Sequence, residues 1–130
     1  MPNNQLFEYA VIRIVPRVER EEFLNTGVVL YCASQKFLQV RYCIDEQRIH
    51  AFSSDADIEQ IKLLLEAFEQ ICHGQKCQSP IAELPLAERF RWLTATRSTV
   101  IQCSQVHPGL CQDAAETLQK IYWQQVDCVK

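Results

Sequence analysis

A polar segment near the end of the chain carries residue types that can bind or process an anion. Residues 94–104 are rich in hydroxyl side chains, and His107 follows them. The planar guanidinium of Arg97 can hold a phosphate or carboxylate through paired hydrogen bonds. Ser98 or Thr99 can donate to the same anion, and His107 can titrate near neutral pH. These residues predict a small enzyme only if they converge in one pocket.

The same residues also have a purely structural interpretation, which we favour. Hydroxyl side chains commonly cap a helix or line a strand edge, and an arginine commonly pairs with an acid. Acyl transfer needs an oriented base, and the sequence shows none. It also lacks a glycine-rich phosphate loop and the zinc-protease and serine-hydrolase motifs. We retain the segment as a candidate binding site for an anion or a partner, and we assign no catalytic residue and no cofactor.

A second group of cationic residues can form a groove for nucleic acid. Around the end of the first predicted strand these residues are Arg13, Arg17 and Arg20, and a predicted helix adds Arg89 and Arg91. Aromatic residues on which bases can stack are Tyr9, Tyr42 and Trp92. Three glutamates lie beside the first arginines, so a solvated surface of mixed charge is the simpler interpretation. The net charge of −3 also disfavours a dedicated duplex binder.

The cysteines predict reduced thiols and no metal site. There are seven, namely Cys32, Cys43, Cys72, Cys77, Cys103, Cys111 and Cys128. Two of them lie in apolar, strand-like segments, as expected of thiols that pack as small hydrophobes. The closest pair, Cys72 and Cys77, is more widely spaced than a zinc-binding pair and has no matching second pair.

Length and composition predict a single domain. The lack of a recognisable secretory signal predicts that it lies in the cytoplasm. The chain has 130 residues, of which 48% are hydrophobic and 22% charged. We expect a single domain over residues 1–130, with disorder confined to residues 1–5. No apolar run approaches the roughly 18 residues that cross a bilayer. The N-terminus also lacks the basic and apolar regions of a secretory signal, so we expect no membrane partner.

The elements that must position these residues predict an α+β fold. Strands are predicted over residues 7–15, 28–32, 37–44 and 98–103, and a loop over 105–112. Helices are predicted over residues 17–25, 45–52, 58–72, 85–93 and 113–122. Because strands follow one another directly in the first half, we expect a mainly antiparallel sheet of about four strands with helices on one face.

The clearest element is the third of these helices. Its apolar stripe repeats at spacings of three and four, through Ile58, Ile61, Leu65, Phe68 and Cys72, and Leu63 and Leu64 widen it. Ser54 and Asp57 resemble a capping box at its start. Gly74 provides a left-handed end. In the last helix, Trp123 can be either a core residue or an exposed anchor for a partner.

Several segments resemble the bacterial domain-of-unknown-function 3037 family, and the likeness extends from Phe7 to Tyr122. They are residues 7–17, 20–31, 88–93 and 97–102. The resemblance implies a small bacterial protein, often encoded beside a HipA-like serine/threonine kinase, and it implies no established activity. Near Val106 and His107 the family pattern has Ser-Pro before the valine and Thr after the histidine, whereas this chain has Gln105 and Pro108.

Three functions follow from these observations, in order of preference. The first is a non-enzymatic interaction or regulatory module that acts with a protein partner, for which a HipA-like kinase is the candidate. The alternative is a nucleic-acid binding or processing protein that uses an arginine-rich surface. The third is a small enzyme built on the segment around Arg97 and His107.

Overall fold

The protein is an antiparallel sheet between helices. The computed structural model describes residues 4–74 and 79–126. The strands are β1 (Gln5–Ile14), β2 (Leu24–Cys32), β3 (Phe37–Tyr42), β4 (Ile101–Cys103) and β5 (His107–Cys111). The helices are α1 (Glu46–Phe52), α2 (Ile58–His73), α3 (Leu86–Thr94) and α4 (Ala114–Gln125). Short 3-10 turns lie at Val18–Arg20 and Pro80–Glu83. The predicted α+β class is confirmed.

The strand order shows that β4 and β5 together form one edge of the sheet. The order is β3-β2-β1-β4, and β5 also pairs with β1, always antiparallel. Ile12 opposes Cys103, whereas Tyr9 opposes His107, so the pairing shifts by one residue between β4 and β5. Such a shift is a β-bulge. The sheet is therefore four strands wide, as predicted, with a broken edge strand.

The prediction of a loop over residues 105–112 is wrong for residues 107–111, which form β5. Pro108 and Gly109 are typical of turns, but proline is tolerated in edge strands because its missing N–H can face solvent. Packing explains why a glycine occupies position 109. A Cβ at this position would lie 2.5 Å from the ring of Phe7 on β1, so the ring packs where a side chain would be.

The prediction that helices pack on one face is also wrong. Side chains alternate along β2, so Val29 points to one face while Val28 and Leu30 point to the other. Val29 belongs to a core cluster that includes residues of α1, α2 and α3. Val28 and Leu30 belong to a second cluster with Leu118 and Ile121 of α4. The unalternating apolar run in β2 reflects this burial on both faces, as its sequence predicted.

The helix ends show which local signals are used. Asp57, not Ser54, is the N-cap of α2, and its carboxylate accepts the Gln60 N–H at 3.1 Å. Gly74 ends α2 with a φ of 68°, as predicted. Asp113 caps α4, also as predicted. The predicted helix over residues 17–25 is reduced to the 3-10 turn, because Leu24 and Asn25 join β2 and pair with β1.

Two further predictions concern disorder over residues 1–5 and the lack of a membrane-crossing segment. Residues 1–3 lie outside the described residues, and Gln5 already belongs to β1. Across residues 4–74 and 79–126, no helix combines the length and the apolar character that a membrane crossing requires.

Candidate functional site

An apolar cleft opens between α2, α3 and β4. Its volume is about 140 Å³. The residues that line it are Leu64, Ala67, Phe68, Ile71, Trp92, Leu93, Arg97, Thr99, Ile101, Gln102 and Cys103. Most of these side chains are apolar, so the cleft favours an apolar occupant.

Helical spacing and strand pairing bring these side chains together. From α2 the cleft takes Leu64, and then Ala67, Phe68 and Ile71, which lie three, four and seven positions further on and therefore share one side of the helix. Leu93 near the end of α3 is fully buried, and Ile101 on β4 is held opposite Ile14 of β1. Helix α3 ends at Thr94 and β4 begins at Ile101, and the cleft lies between these two elements and α2.

Arg97 lies at the rim of the cleft and stabilises the end of α3. Its guanidinium donates to the backbone oxygens of Leu93 at 3.0 Å, of Ala95 at 3.5 Å and of Trp92. Terminal carbonyls of a helix lack intrahelical partners and carry partial negative charge, so a cation is favourable there. The guanidinium also lies 4.3 Å from the centre of the Trp92 ring, a cation–π contact. Trp92 is 40% exposed.

The hydroxyl residues beside Arg97 make structural hydrogen bonds. Thr99 lines the cleft, and its hydroxyl donates to the backbone oxygen of Ile101 at 2.7 Å. The Gln102 amide donates to the backbone oxygen of Thr99 at 2.8 Å. Ser98 is exposed and lies outside the lining. These bonds hold the connection between α3 and β4 in place.

Cys103 contributes a neutral thiol to the cleft. Burial raises its pKa to about 12, although the positive charges of Arg97 and Arg13 act in the opposite direction. Its thiol donates to the backbone oxygen of Leu93 at 3.5 Å. Nucleophilic chemistry requires the thiolate, so Cys103 is a packing residue at neutral pH.

His107 lies on the other face of the sheet from the cleft. It is directly opposite Tyr9 on β1, and the two ring centres are 5.3 Å apart. Tyr9 packs against the cluster beneath α4, and residues directly opposite in a sheet share a face. The structure therefore brings Arg97 and Thr99 together but separates His107 from them. The convergence that the enzyme hypothesis requires is not observed.

Four of the five other predicted arginines already have partners. Arg17 pairs with Asp55 at 2.9 Å and Arg20 with Glu22 at 3.1 Å, all at exposed positions. The Arg13 guanidinium lies 3.9 Å from the centre of the Phe23 ring. In α3, Arg89 donates to the backbone oxygen of Ala82 at 3.2 Å, and Arg91 is exposed. This arrangement matches a surface of mixed charge better than a continuous cationic groove.

The cysteines divide into free and bonded groups. Cys32, Cys72, Cys103 and Cys111 are free, whereas Cys43 is disulfide-bonded, so the expectation of reduced thiols fails at Cys43. Cys77 and Cys128 lie outside the described residues. Within the part of the chain that the structure describes, no three His, Cys, Asp or Glu side chains are grouped as metal ligands.

Most residues that line the cleft were not predicted as site residues from the sequence. Leu63 and Leu64 were expected to widen the buried stripe of α2. Leu64 does so, since it packs partly buried against the core and lines the cleft, but Leu63 is 65% exposed. The signal was present in the sequence, because leucines beyond a complete stripe need a second surface to cover them. Trp123 is likewise 50% exposed, on the outer side of α4, where it contacts Tyr122 edge to face.

The fold and the cleft define a small α+β protein with an apolar cleft and an aromatic–arginine rim. The chain belongs to the family described as protein of unknown function (DUF3037), whose model matches residues 9–126. No curated protein and no solved structure matches the chain.

Proposed function

We propose that this protein is a non-enzymatic interaction or regulatory module that binds a protein partner through the cleft between α2, α3 and β4. The observation that carries the proposal is the stacked pair of Trp92 and Arg97 at the rim of an apolar cleft. Tryptophan and arginine are the residue types enriched among the dominant contacts of protein interfaces. Apolar side chains around such anchors exclude water when a partner docks.

The adjoining surface of α2 extends this site. Leu63 and Ala67 are separated by four positions, so they are neighbours on the helix surface, and both are exposed. Ala67 also lines the cleft. The family resemblance supplies the candidate partner, a HipA-like serine/threonine kinase encoded nearby. The alternative function, nucleic-acid binding, gains less support because its arginines are engaged by acids, aromatic rings and backbone oxygens.

A pair of matched variants tests the proposal. Ala67→Arg places a long cation in the mouth of the cleft, and Ala115→Arg makes the same change at an exposed position of α4. The two variants have the same net charge and carry the same residue change. We expect the wild-type protein and the Ala115 variant to co-purify stoichiometrically with a co-expressed HipA-like kinase from the same bacterium, and the Ala67 variant to lose it.

Two results would contradict the proposal. The first is that the kinase does not co-purify with the wild-type protein. The second is that binding persists unchanged in Ala67→Arg. Recovery of nucleic acid, with an affinity that falls steeply with salt, would instead favour the alternative function.

A cytoplasmic, bacterial setting is part of the same proposal. The redox state of Cys43 inside the cell bears on this setting, because Cys43 is disulfide-bonded in the structure and disulfides are rarely maintained in the cytosol. Alkylation of rapidly denatured cells, followed by mass spectrometry of the Cys43 peptide, measures this. A Cys43 that is protected from alkylation until a reductant is added would argue for an oxidising compartment.

A further inference from the structure

We infer that the cleft selects a partner segment in which a carboxylate lies beside one bulky apolar side chain. The inference rests on the proposed function, because it names the chemistry that the same cleft recognises. It concerns the charge and the size of the occupant, which are determined by different residues of the cleft.

The size of the cleft sets the apolar part of the occupant. Its volume is about 140 Å³, and an apolar cavity of roughly 150 Å³ accommodates a benzene molecule. The side chains of Phe68, Ile71 and Leu93 provide no charge and are all buried. One aromatic ring or branched aliphatic side chain fits this space, whereas a longer stretch of peptide must remain outside it.

The positive charge at the rim of the cleft determines which polar group the occupant should carry. Arg97 is the cationic side chain in the lining of the cleft, and burial raises the pKa of the Cys103 thiol to about 12. The bonds from Arg97 to three backbone oxygens use three of the five N–H groups of a guanidinium. A carboxylate can accept from the remaining donors, with the occupant's apolar side chain beside Trp92.

Two small probes separate the charge from the apolar surface. N-acetylphenylalanine carries the ring and the carboxylate, and N-acetylphenylalaninamide carries the same ring without the charge. The chain has two tryptophans, so the indole N–H signals of Trp92 and Trp123 report on the cleft and on α4 in one NMR titration. Trp123 is the internal control because it lies on the helix that covers the opposite face of the sheet.

We expect the acid to shift the Trp92 signal and to leave that of Trp123 unchanged. The amide should bind about tenfold more weakly, because a charge-assisted hydrogen bond is lost. Arg97→Gln should reduce the affinity for the acid to that for the amide. Since this variant also alters the end of α3, the salt dependence of the wild-type protein provides a second measurement, with acid binding weakened by salt and amide binding unaffected.

The outcomes distinguish this inference from the proposed function. Equal affinity for the acid and the amide would overturn the inference, while the cleft would remain an apolar docking site. Absence of any Trp92 shift at saturating probe, or a shift of Trp123 alone, would overturn it as well. If the acid binds as expected but Ala67→Arg leaves kinase binding unchanged, the proposed function fails and the selectivity of the cleft stands.

Discussion

Ser104 satisfies both backbone hydrogen-bonding groups of Val11 at the point where the edge of the sheet changes register. The Val11 N–H donates to the Ser104 hydroxyl oxygen at 2.8 Å, and the Ser104 N–H donates to the Val11 oxygen at 2.8 Å. The hydroxyl then donates to the backbone oxygen of Gln105 at 2.9 Å. A side chain thus replaces a backbone acceptor where the bulge interrupts the ladder.

Replacement of Ser104 by alanine is predicted to destabilise the protein by about 1–3 kcal/mol, because it leaves a buried N–H of Val11 without an acceptor. Urea denaturation measures the change. Ser98→Ala is the matched control, since Ser98 is exposed and its loss should change stability by less than about 0.5 kcal/mol. Equal stability of the two variants would show that the Ser104 hydroxyl does not support the bulge.

Gly109→Ala is predicted to destabilise the protein by about 1–3 kcal/mol through overpacking. The added methyl group would lie 2.5 Å from the Phe7 ring, which is itself buried beneath α4. A double-mutant cycle with Phe7→Leu measures the coupling. We expect the cost of the Gly109 change to fall when the ring is absent, and strictly additive effects would mean that the clash is not its cause.

Tyr42 should make stability depend on pH in the alkaline range. Burial and its hydrogen bond to Glu69, with an O–O distance of 3.0 Å, raise the pKa of Tyr42 from 10.0 to about 12. Because the folded state favours the neutral phenol, this contribution is complete below pH 10 and is lost as the pH rises towards 12.

The Tyr42→Phe variant isolates this effect. Between pH 10 and pH 12 the variant should lose less stability than the wild-type protein, as measured by urea denaturation at each pH. The other tyrosines titrate in both proteins, so they cancel in the comparison. Identical losses would indicate that the Tyr42–Glu69 contact does not persist in solution.

Gln35 is predicted to hold the start of α4 against the sheet. Its amide nitrogen donates to the Gln5 side chain at 2.5 Å and to the backbone oxygen of Gln112 at 2.9 Å. Its oxygen accepts the N–H of Ala114 at 3.0 Å. Gln35→Ala should therefore destabilise the protein by about 1–3 kcal/mol and accelerate hydrogen exchange at Ala114. Gln39→Ala is the control: because Gln39 is at an exposed position of β3, its replacement should change neither the stability nor the hydrogen exchange at Ala114.

Local patterns in the sequence were sufficient for helices α1 to α4 and for the class of fold, but not for the helix predicted over residues 17–25. The stripe from Ile58 to Cys72, the glycine at position 74 and the cap at Asp113 depend on residues within a few positions of one another. The hairpin of β2 and β3 and the burial of β2 on both faces follow in the same way from short-range periodicity. Arg97 was identified from its residue type, although the sequence could not reveal that it stabilises the end of α3.

Only the tertiary structure decided which predicted site residues meet. Alternation along a regular strand would place Ile101, Cys103 and His107 on one face, next to the cleft. The extra residue at the bulge reverses the alternation, so His107 opposes Tyr9 on the other face. At the bulge the Val11 N–H bonds to the hydroxyl of Ser104, which is 93 positions away in the chain. No local pattern carries that information, because register is set by strands that meet only when the sheet assembles.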